Sequence, residues 1–436
     1  MTSLASVNPA LFCDLYELTM AAAYHANGFD GSATFELFVR RLPTSRNFLV
    51  AAGSADALDA LERWEFDAQA IAYVRSLPGF SDAFVDRLAG MTFTGSIRAI
   101  AEGEVAFADE PLLEITAPII EAQLLETLLL NLVGTSTMQA SKAARVVVAA
   151  EGRSVADFSA RRDHGVAAAM SAARAAVMAG ASSTSLVEAG RQFGLALSGT
   201  MAHSYVMAFD DERDAFRSFA RTFPDNVVLL LDTWDTIAGA HHAAEVAREL
   251  ERDGIRIAAV RLDSGDLDLL SRKVREILDQ AGLIATRIIA SGDLDEYAIA
   301  ALVAAAAPID AFGVGTRMGT SADAPHLGVV YKLVADERGP KLKLAEGKAT
   351  LPGSKQVWRE DDGDTIGLAA EPRSGRPLLG VATREPLDVV RDRCRAAVAA
   401  LPERVRSLAP ADPAYPVRVS AELGRLVDRL TREHAH

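Results

Sequence analysis

Between residues 154 and 314 short β-branched runs alternate with helix-forming segments, which restricts the middle of the chain to a parallel sheet with helical crossovers. The runs occupy 154–158, 185–187, 226–231, 257–262, 287–290 and 309–314. An Ala-rich helical stretch fills 166–179, and a second fills 237–251 and stops at Gly254. In a third, Leu267, Leu270, Val274, Ile277 and Leu278 recur at helical spacing before Gly282 supplies a stop. A strand–helix–strand unit every roughly 25–30 residues fits a closed barrel or an open doubly wound sheet. Polar residues sit at the strand ends and converge on one mouth, so the expectation is a barrel.

The flanks have a different texture. Residues 34–39 read as a strand, and 93–118 as several short antiparallel strands turning at Gly95, Gly103 and Pro111. Strand-like texture returns around 341–344 and 350–358 before an Arg- and Ala-rich helical tail. The expected division is an N-terminal domain over 1–133, a barrel over 134–335, and a segment over 336–436 that packs back on the first domain.

A chain of 436 residues, half of them apolar, has material for two such cores. Its two cysteines, Cys13 and Cys394, form neither a disulfide framework nor a metal cluster, which suits a reducing cytoplasm. The N-terminus lacks the basic and apolar regions of a secretory signal. The most apolar stretch, 124–133, is interrupted by Glu126, Thr127 and Asn131 and is too short to span a membrane. A net charge of -14 argues against nucleic acid or an anionic membrane as partner.

The strand ends carry the chemistry: Asp-Phe-Ser-Ala-Arg-Arg (157–162), Ser-Gly-Thr-Met-Ala-His (198–203), Leu-Asp-Thr-Trp-Asp-Thr (231–236), Arg-Leu-Asp-Ser-Gly-Asp (261–266), Ser-Gly-Asp (291–293) and Gly-Val-Gly-Thr (313–316). Arg161, Arg162, His164, Arg261 and Arg317 supply cations suited to carboxylate or phosphate. Gly292, Gly313 and Gly315 allow backbone N–H groups to approach an anion. Asp232, Asp263, Asp266 and Asp293 offer oxygens to ribose hydroxyls or Mg²⁺. Each also has an ordinary role: Asp266 and Asp293 as helix caps, the glycines as turns, Phe158 and His203 as core. Their co-occurrence after strands, and not in the intervening helices, points to a phosphorylated-sugar site.

These motifs, with Asp-Leu-Tyr-Glu-Leu-Thr-Met (14–20) and Phe-Glu-Leu-Phe-Val-Arg-Arg-Leu-Pro (35–43), resemble nicotinate phosphoribosyltransferase in order from about residue 11 to 335. The resemblance implies an α/β fold, an irregular α/β barrel with an adjoining α/β sandwich domain, working as a homodimer with shared active sites. It implies transfer from 5-phosphoribosyl 1-pyrophosphate to nicotinate, giving nicotinate mononucleotide and pyrophosphate, within NAD biosynthesis. Mg²⁺ and a coupled, ligase-type hydrolysis of ATP come with it. By the same resemblance Tyr16 reaches across the dimer to stack on the pyridine ring and Phe158 stacks on its other face. Arg161 and Arg261 hold the carboxylate and nearby phosphate oxygens, and Asp263 binds ribose. Gly292, Asp293, Gly313 and Gly315 hold the sugar and its 5′-phosphate, with Arg162, Ser264, Asp266 and Thr316 beside them. Thr200 and Met201 border the pyridine, and His203 accepts phosphate from ATP.

Nicotinamide-using relatives carry an acidic residue directly after the Gly-Thr pair, where Met201 stands here. Without that carboxylate an amide loses its acceptor and a carboxylate substrate meets no repulsion, which favours the acid. A nicotinamide or quinolinate phosphoribosyltransferase, or a non-catalytic nucleotide-binding paralogue, are the alternatives. An aldolase-like barrel is a third, disfavoured because none of these strand ends carries a lysine.

Overall fold

The structure, a computed structural model, describes residues 7–345 and 347–434. The chain forms two compact units, one from Lys142 to Asp323 and the other from the chain up to Ser141 together with the chain from Ala324.

The Lys142–Asp323 unit is built on a parallel sheet of six strands in the order Ser183–Thr184, Ser154–Asp157, Ala311–Val314, Arg287–Ala290, Ile257–Leu262, Val227–Leu230. One further rung extends it: Thr184 N–H donates to Ala196 O at 3.0 Å, and Ser198 N–H donates to Thr184 O at 2.9 Å. Among the described residues no strand pairing joins this rung to Val227–Leu230, so the sheet curls into an irregular barrel that stays open on one side. The α/β expectation is met.

The crossover helices follow their apolar spacing. In Leu267–Gln280, Ser271, Val274 and Leu278 are buried, Asp266 caps by accepting from Leu269 N–H at 3.1 Å, and Gly282 beyond the end takes φ +80°. Each buried Val or Leu contributes about 1.5–3 kcal/mol over an exposed one.

Three local expectations shift. The second strand is Ser183–Thr184, and Val187–Phe193 is helix; Thr184 Oγ1 accepts from Leu186 N–H and bends the chain out of the ladder. Asp295, not Asp293, caps Glu296–Ala304, accepting from Tyr297 and Ala298 N–H. Gly292 and Asp293, at φ +90° and +42°, make a turn that leaves Asp293 outside the helix. No strand forms at 341–344; beyond Gly339–Pro340 the ladder keeps one bond, Lys341 N–H to Val334 O at 2.7 Å, and the next strand is Lys355–Glu360.

In the other unit an antiparallel sheet runs Gly339–Pro340, Val329–Asp336, Ser32–Val39, Pro111–Pro118, Ser96–Ile100, Leu379–Val381. A second sheet of four strands holds Arg376–Pro377, Lys355–Glu360, Gly363–Leu368 and Val417–Val419. Leu37, Leu113 and Ile115 have no exposed surface, and Phe35 stacks on Tyr331 with centroids 4.9 Å apart. No helix among the described residues is long and apolar enough to cross a membrane.

Candidate active site

The ends of the parallel strands bring Asp232, Arg261, Asp263, Ser264 and His203 into one connected set. Asp263 follows the Ile257–Leu262 strand, and its Oδ1 accepts from Ser291 Oγ at 2.5 Å, from the end of the neighbouring Arg287–Ala290 strand. Its backbone N–H donates to Asp232 Oδ2 at 2.9 Å, and Ser264 Oγ donates to the same oxygen at 2.6 Å. Asp232 Oδ1 is buried without a partner. Gly292 is forced by the same neighbourhood: a Cβ on it would lie 2.0 Å from Asp263 O, at a φ of +90°.

Arg261 is buried two residues before Asp263. Its Nη2 donates to Met201 O at 2.9 Å, Nη1 lies 3.7 Å from Asp263 Oδ1, and Nε is buried without a partner. Burial, reinforced by the nearby Arg161 charge, holds the guanidinium below its ordinary value despite Asp263 and Asp232. An anion placed between Arg161 and Arg261 relieves that opposition.

A cavity of about 170 Å³ occupies the barrel lumen, lined among others by Phe158, Thr200, Arg261, Ile289 and Phe312. Met201 is buried, and its carbonyl accepts from Arg261 of this lining. Phe158 N–H donates to Val314 O at 2.8 Å, which ties the ring's backbone to the last parallel strand. Arg161 and Arg162 are exposed on the following loop, and Arg162 N–H donates to Ser159 O at 2.8 Å. That loop is anchored by Asp157, whose carboxylate accepts from Ser159 N–H and Thr184 Oγ1, and by Asp163, which accepts from Ser159 Oγ at 3.0 Å. Burial pushes the Asp163 carboxyl up to about 6, with Asp157 adding to the effect against the Ser159 hydrogen bond.

His203 begins the short helix His203–Val206. Its Nδ1 is 3.2 Å from Thr233 Oγ1, and its Nε2 is 3.9 Å from Asp263 Oδ2. The histidine therefore joins the Asp263 cluster.

Other selected residues stand apart. Asp266 spends an oxygen on its helix cap, Asp293 and Thr316 are exposed, and Arg317 pairs with Asp295 at 2.9 Å. Tyr16, in the unit that ends its first part at Ser141, is exposed in the first turn of Leu15–Ala26; burial of its phenol and the Glu126 carboxylate raise its pKa. Sequence reasoning missed Ser291, Thr233, Asp157 and Asp163 as partners. Ser291 and Thr233 lie inside the quoted strand-end motifs, whose positions were the available signal. Among the described residues no three His, Cys, Asp or Glu side chains form a metal-binding group.

The chain was compared with known proteins. The profile for the nicotinate phosphoribosyltransferase N-terminal domain matches residues 11–134, and that for the nicotinate phosphoribosyltransferase family matches residues 114–364. Nicotinate phosphoribosyltransferase pncB2 of Mycobacterium tuberculosis is 48% identical over 437 residues, covering 97% of this chain and 93% of the relative. The Bacillus subtilis nicotinate phosphoribosyltransferase is 43% identical over 83% of this chain and 76% of its own length. Among solved structures, human nicotinic acid phosphoribosyltransferase superposes with a TM-score of 0.83 at 28% identity, covering 96% of this chain and 99% of that one.

Proposed function

The chain belongs to the nicotinate phosphoribosyltransferase family, and from that premise we propose that it converts nicotinate and 5-phosphoribosyl 1-pyrophosphate into nicotinate mononucleotide and pyrophosphate in NAD biosynthesis, with ATP hydrolysis coupled through His203. The observation that carries the reading is the lumen cavity, where an aromatic ring, Phe158, borders the same space as the buried Arg261, whose Nε lacks a partner. A flat ring bearing one carboxylate satisfies both groups.

The pyridine nitrogen is unprotonated near neutral pH, so the reaction needs no general base. Its lone pair forms the bond to C1′ as the C1′–oxygen bond to pyrophosphate breaks. The work of the protein is to hold the ring beneath C1′ and to meet developing positive charge on the sugar. Phe158 orients the ring, and Arg161 and Arg261 take its carboxylate. Asp263, held by Ser291 and by its own N–H on Asp232, is fixed where ribose hydroxyls and the cationic centre are expected. Thr200 borders the ring in the lumen, and the buried Met201 beside it in sequence brings no carboxylate to compete for the arginines.

Mg²⁺ commonly takes one or two protein carboxylates and completes its shell with substrate phosphate and water. Asp232, whose Oδ1 is buried without a partner, fits that modest demand. When bound, the ion neutralises pyrophosphate charge. Gly292, Gly315, Arg162 and Ser264 are the residues we assign to the sugar and its 5′-phosphate, with Asp293, Thr316 and Asp266, which stand outside the hydrogen-bonded cluster, joining them only when substrate is bound.

In the coupled half-reaction, His203 attacks the γ-phosphorus of ATP; a nitrogen–phosphorus bond forms, the bond to the ADP oxygen breaks, and water later removes the phosphoryl group. The 3.9 Å approach of Nε2 to Asp263 supports communication between that step and the ribose site. We also propose a homodimer in which Tyr16 of one subunit closes the pyridine site of the other; its exposed ring is consistent with that role.

The test compares nicotinate, nicotinamide and quinolinate as acceptors, with Mg²⁺ and phosphoribosyl pyrophosphate, with and without ATP. Product from nicotinate, faster with ATP, supports the reading. Product from nicotinamide alone overturns the acid assignment, and an acid-labile phosphate label that survives His203→Ala overturns the histidine's role.

A further inference from the structure

We propose that Gly313 positions the pyridine substrate by seating the Phe158 ring, and that it is not a phosphate contact. The inference rests on nicotinate as the ring substrate. The Ala311–Val314 strand pairs in parallel with Ser154–Asp157, with Gly313 opposite Ala156 and Val314 opposite Asp157. Ser154, Ala156 and Phe158 all border the lumen, as do Ala311 and Phe312. Side chains alternate along a strand, so Gly313 falls on the face that Ala311 presents, and a Cβ there would point at the Phe158 ring. No side chain fills that position.

The Phe158 ring fills it. A Cβ on Gly313 would lie 2.5 Å from Phe158 Cε2 and 2.7 Å from Cδ2, distances that real Cβ atoms do not tolerate. The same Cβ would lie 3.3 Å from Ser291 Cβ on the other neighbouring strand, a tight contact that a small shift accommodates. The ring is therefore the group that must move. The requirement is purely steric, because Gly313 is absent from the glycines with positive φ.

Gly292 makes the contrast. It takes φ +90°, and a Cβ there meets the Asp263 carbonyl, so that glycine is demanded by backbone geometry beside the ribose cluster. Gly313 is demanded by an aromatic ring. Its missing side chain sets how deeply Phe158 lies in the cavity, and so the plane against which a pyridine can stack beside Arg261 and Thr200. Gly313 is thus a positioning residue that acts through Phe158.

The experiment is a double-mutant cycle on the full-length protein with Gly313→Ala, Phe158→Leu and the pair, measuring KM for nicotinate and for phosphoribosyl pyrophosphate separately. Gly313→Ala should raise KM for nicotinate roughly tenfold, the scale of a lost aromatic contact, and leave KM for phosphoribosyl pyrophosphate within about twofold, the effect of Ser291 yielding slightly. In the Phe158→Leu background, where no ring remains to be displaced, the added methyl group should change neither constant further. Effects that add across the cycle, or a rise in KM for phosphoribosyl pyrophosphate that exceeds the rise for nicotinate, overturn the proposal. If Gly313→Ala alone is insoluble, the pair compared with Phe158→Leu decides: an unchanged phosphoribosyl pyrophosphate KM upholds it and a raised one sinks it. A wild-type protein that fails to use nicotinate at all defeats the functional reading instead, and is seen before any variant is made.

Discussion

Thr233 Oγ1 lies 3.2 Å from His203 Nδ1, and on the other side of the imidazole Nε2 lies 3.9 Å from Asp263 Oδ2. The hydroxyl fixes the ring's rotation and leaves Nε2 directed at Asp263.

His203→Ala is expected to abolish ATP hydrolysis and to leave slow, ATP-independent transfer. Thr233→Val should lower ATP turnover about fivefold, the equivalent of one hydrogen bond near 1 kcal/mol, with transfer in the absence of ATP unchanged. Phosphate release measured beside mononucleotide formation separates the two. Continued hydrolysis in step with product in His203→Ala would refute the assignment.

Ser291→Ala removes the donor that holds Asp263 Oδ1. A hydrogen bond to a charged group contributes about 1.5–3 kcal/mol, so kcat/KM for phosphoribosyl pyrophosphate should fall at least tenfold. KM for nicotinate should stay near the wild-type value. A loss confined to nicotinate would show that Asp263 serves the ring and not the sugar.

Met201→Asp places a carboxylate at a buried position whose own carbonyl already accepts from Arg261. It competes with substrate for that guanidinium and offers an acceptor to an amide. Nicotinate kcat/KM should fall about 100-fold while nicotinamide becomes a measurable substrate, in keeping with the discrimination that one buried polar partner provides. Unaltered preference in a folded variant would remove position 201 from the specificity account.

Glu17 carries a pH-dependent liability. Burial, opposed by hydrogen bonds from Thr127 and Asp14, raises its pKa from 4.5 to about 7, and its Oε2 is buried without a partner. Between those two values the folded state holds the proton more firmly than the unfolded state does, so this group's contribution to stability declines as pH rises through the window and stays low above it. Glu17→Gln keeps the Oε1 acceptor and puts an amide where Oε2 stood. Melting temperature should fall more between pH 5 and pH 7 in the wild type than in the variant, by a few degrees. Parallel melting curves would show that Glu17 ionises normally.

Much of the barrel was legible because each inner strand is a compact β-branched run. The strands Ile257–Leu262 and Arg287–Ala290 coincide with the runs read from the sequence. The Ser183–Thr184 strand did not, because Leu186 and Val187 look strand-like while the Thr184 hydroxyl turns the chain into a helix that starts at Val187. Asp293 matched a capping pattern, but the pattern carries no information on the left-handed turn at Gly292 and Asp293 that hands the cap to Asp295. At the site, Arg261, Asp263 and His203 were visible through the strand-end motifs. The Ser291–Asp263 bond and the Gly313 seat were not, since both join residues on adjacent strands whose registers only the folded sheet defines.

The Ser32–Val39 strand lies between Pro111–Pro118 and Val329–Asp336, with Val39 opposite Val329. During synthesis one of its two edges therefore waits for a partner about 290 residues downstream, and at ribosomal speeds of about 5–20 residues per second that wait lasts roughly 15–60 s. For that interval the nascent chain presents an apolar, unpaired edge while the Lys142–Asp323 unit is still emerging. The insertion that gives the enzyme its barrel thus sets how long that edge stays unpaired, well before any substrate is met.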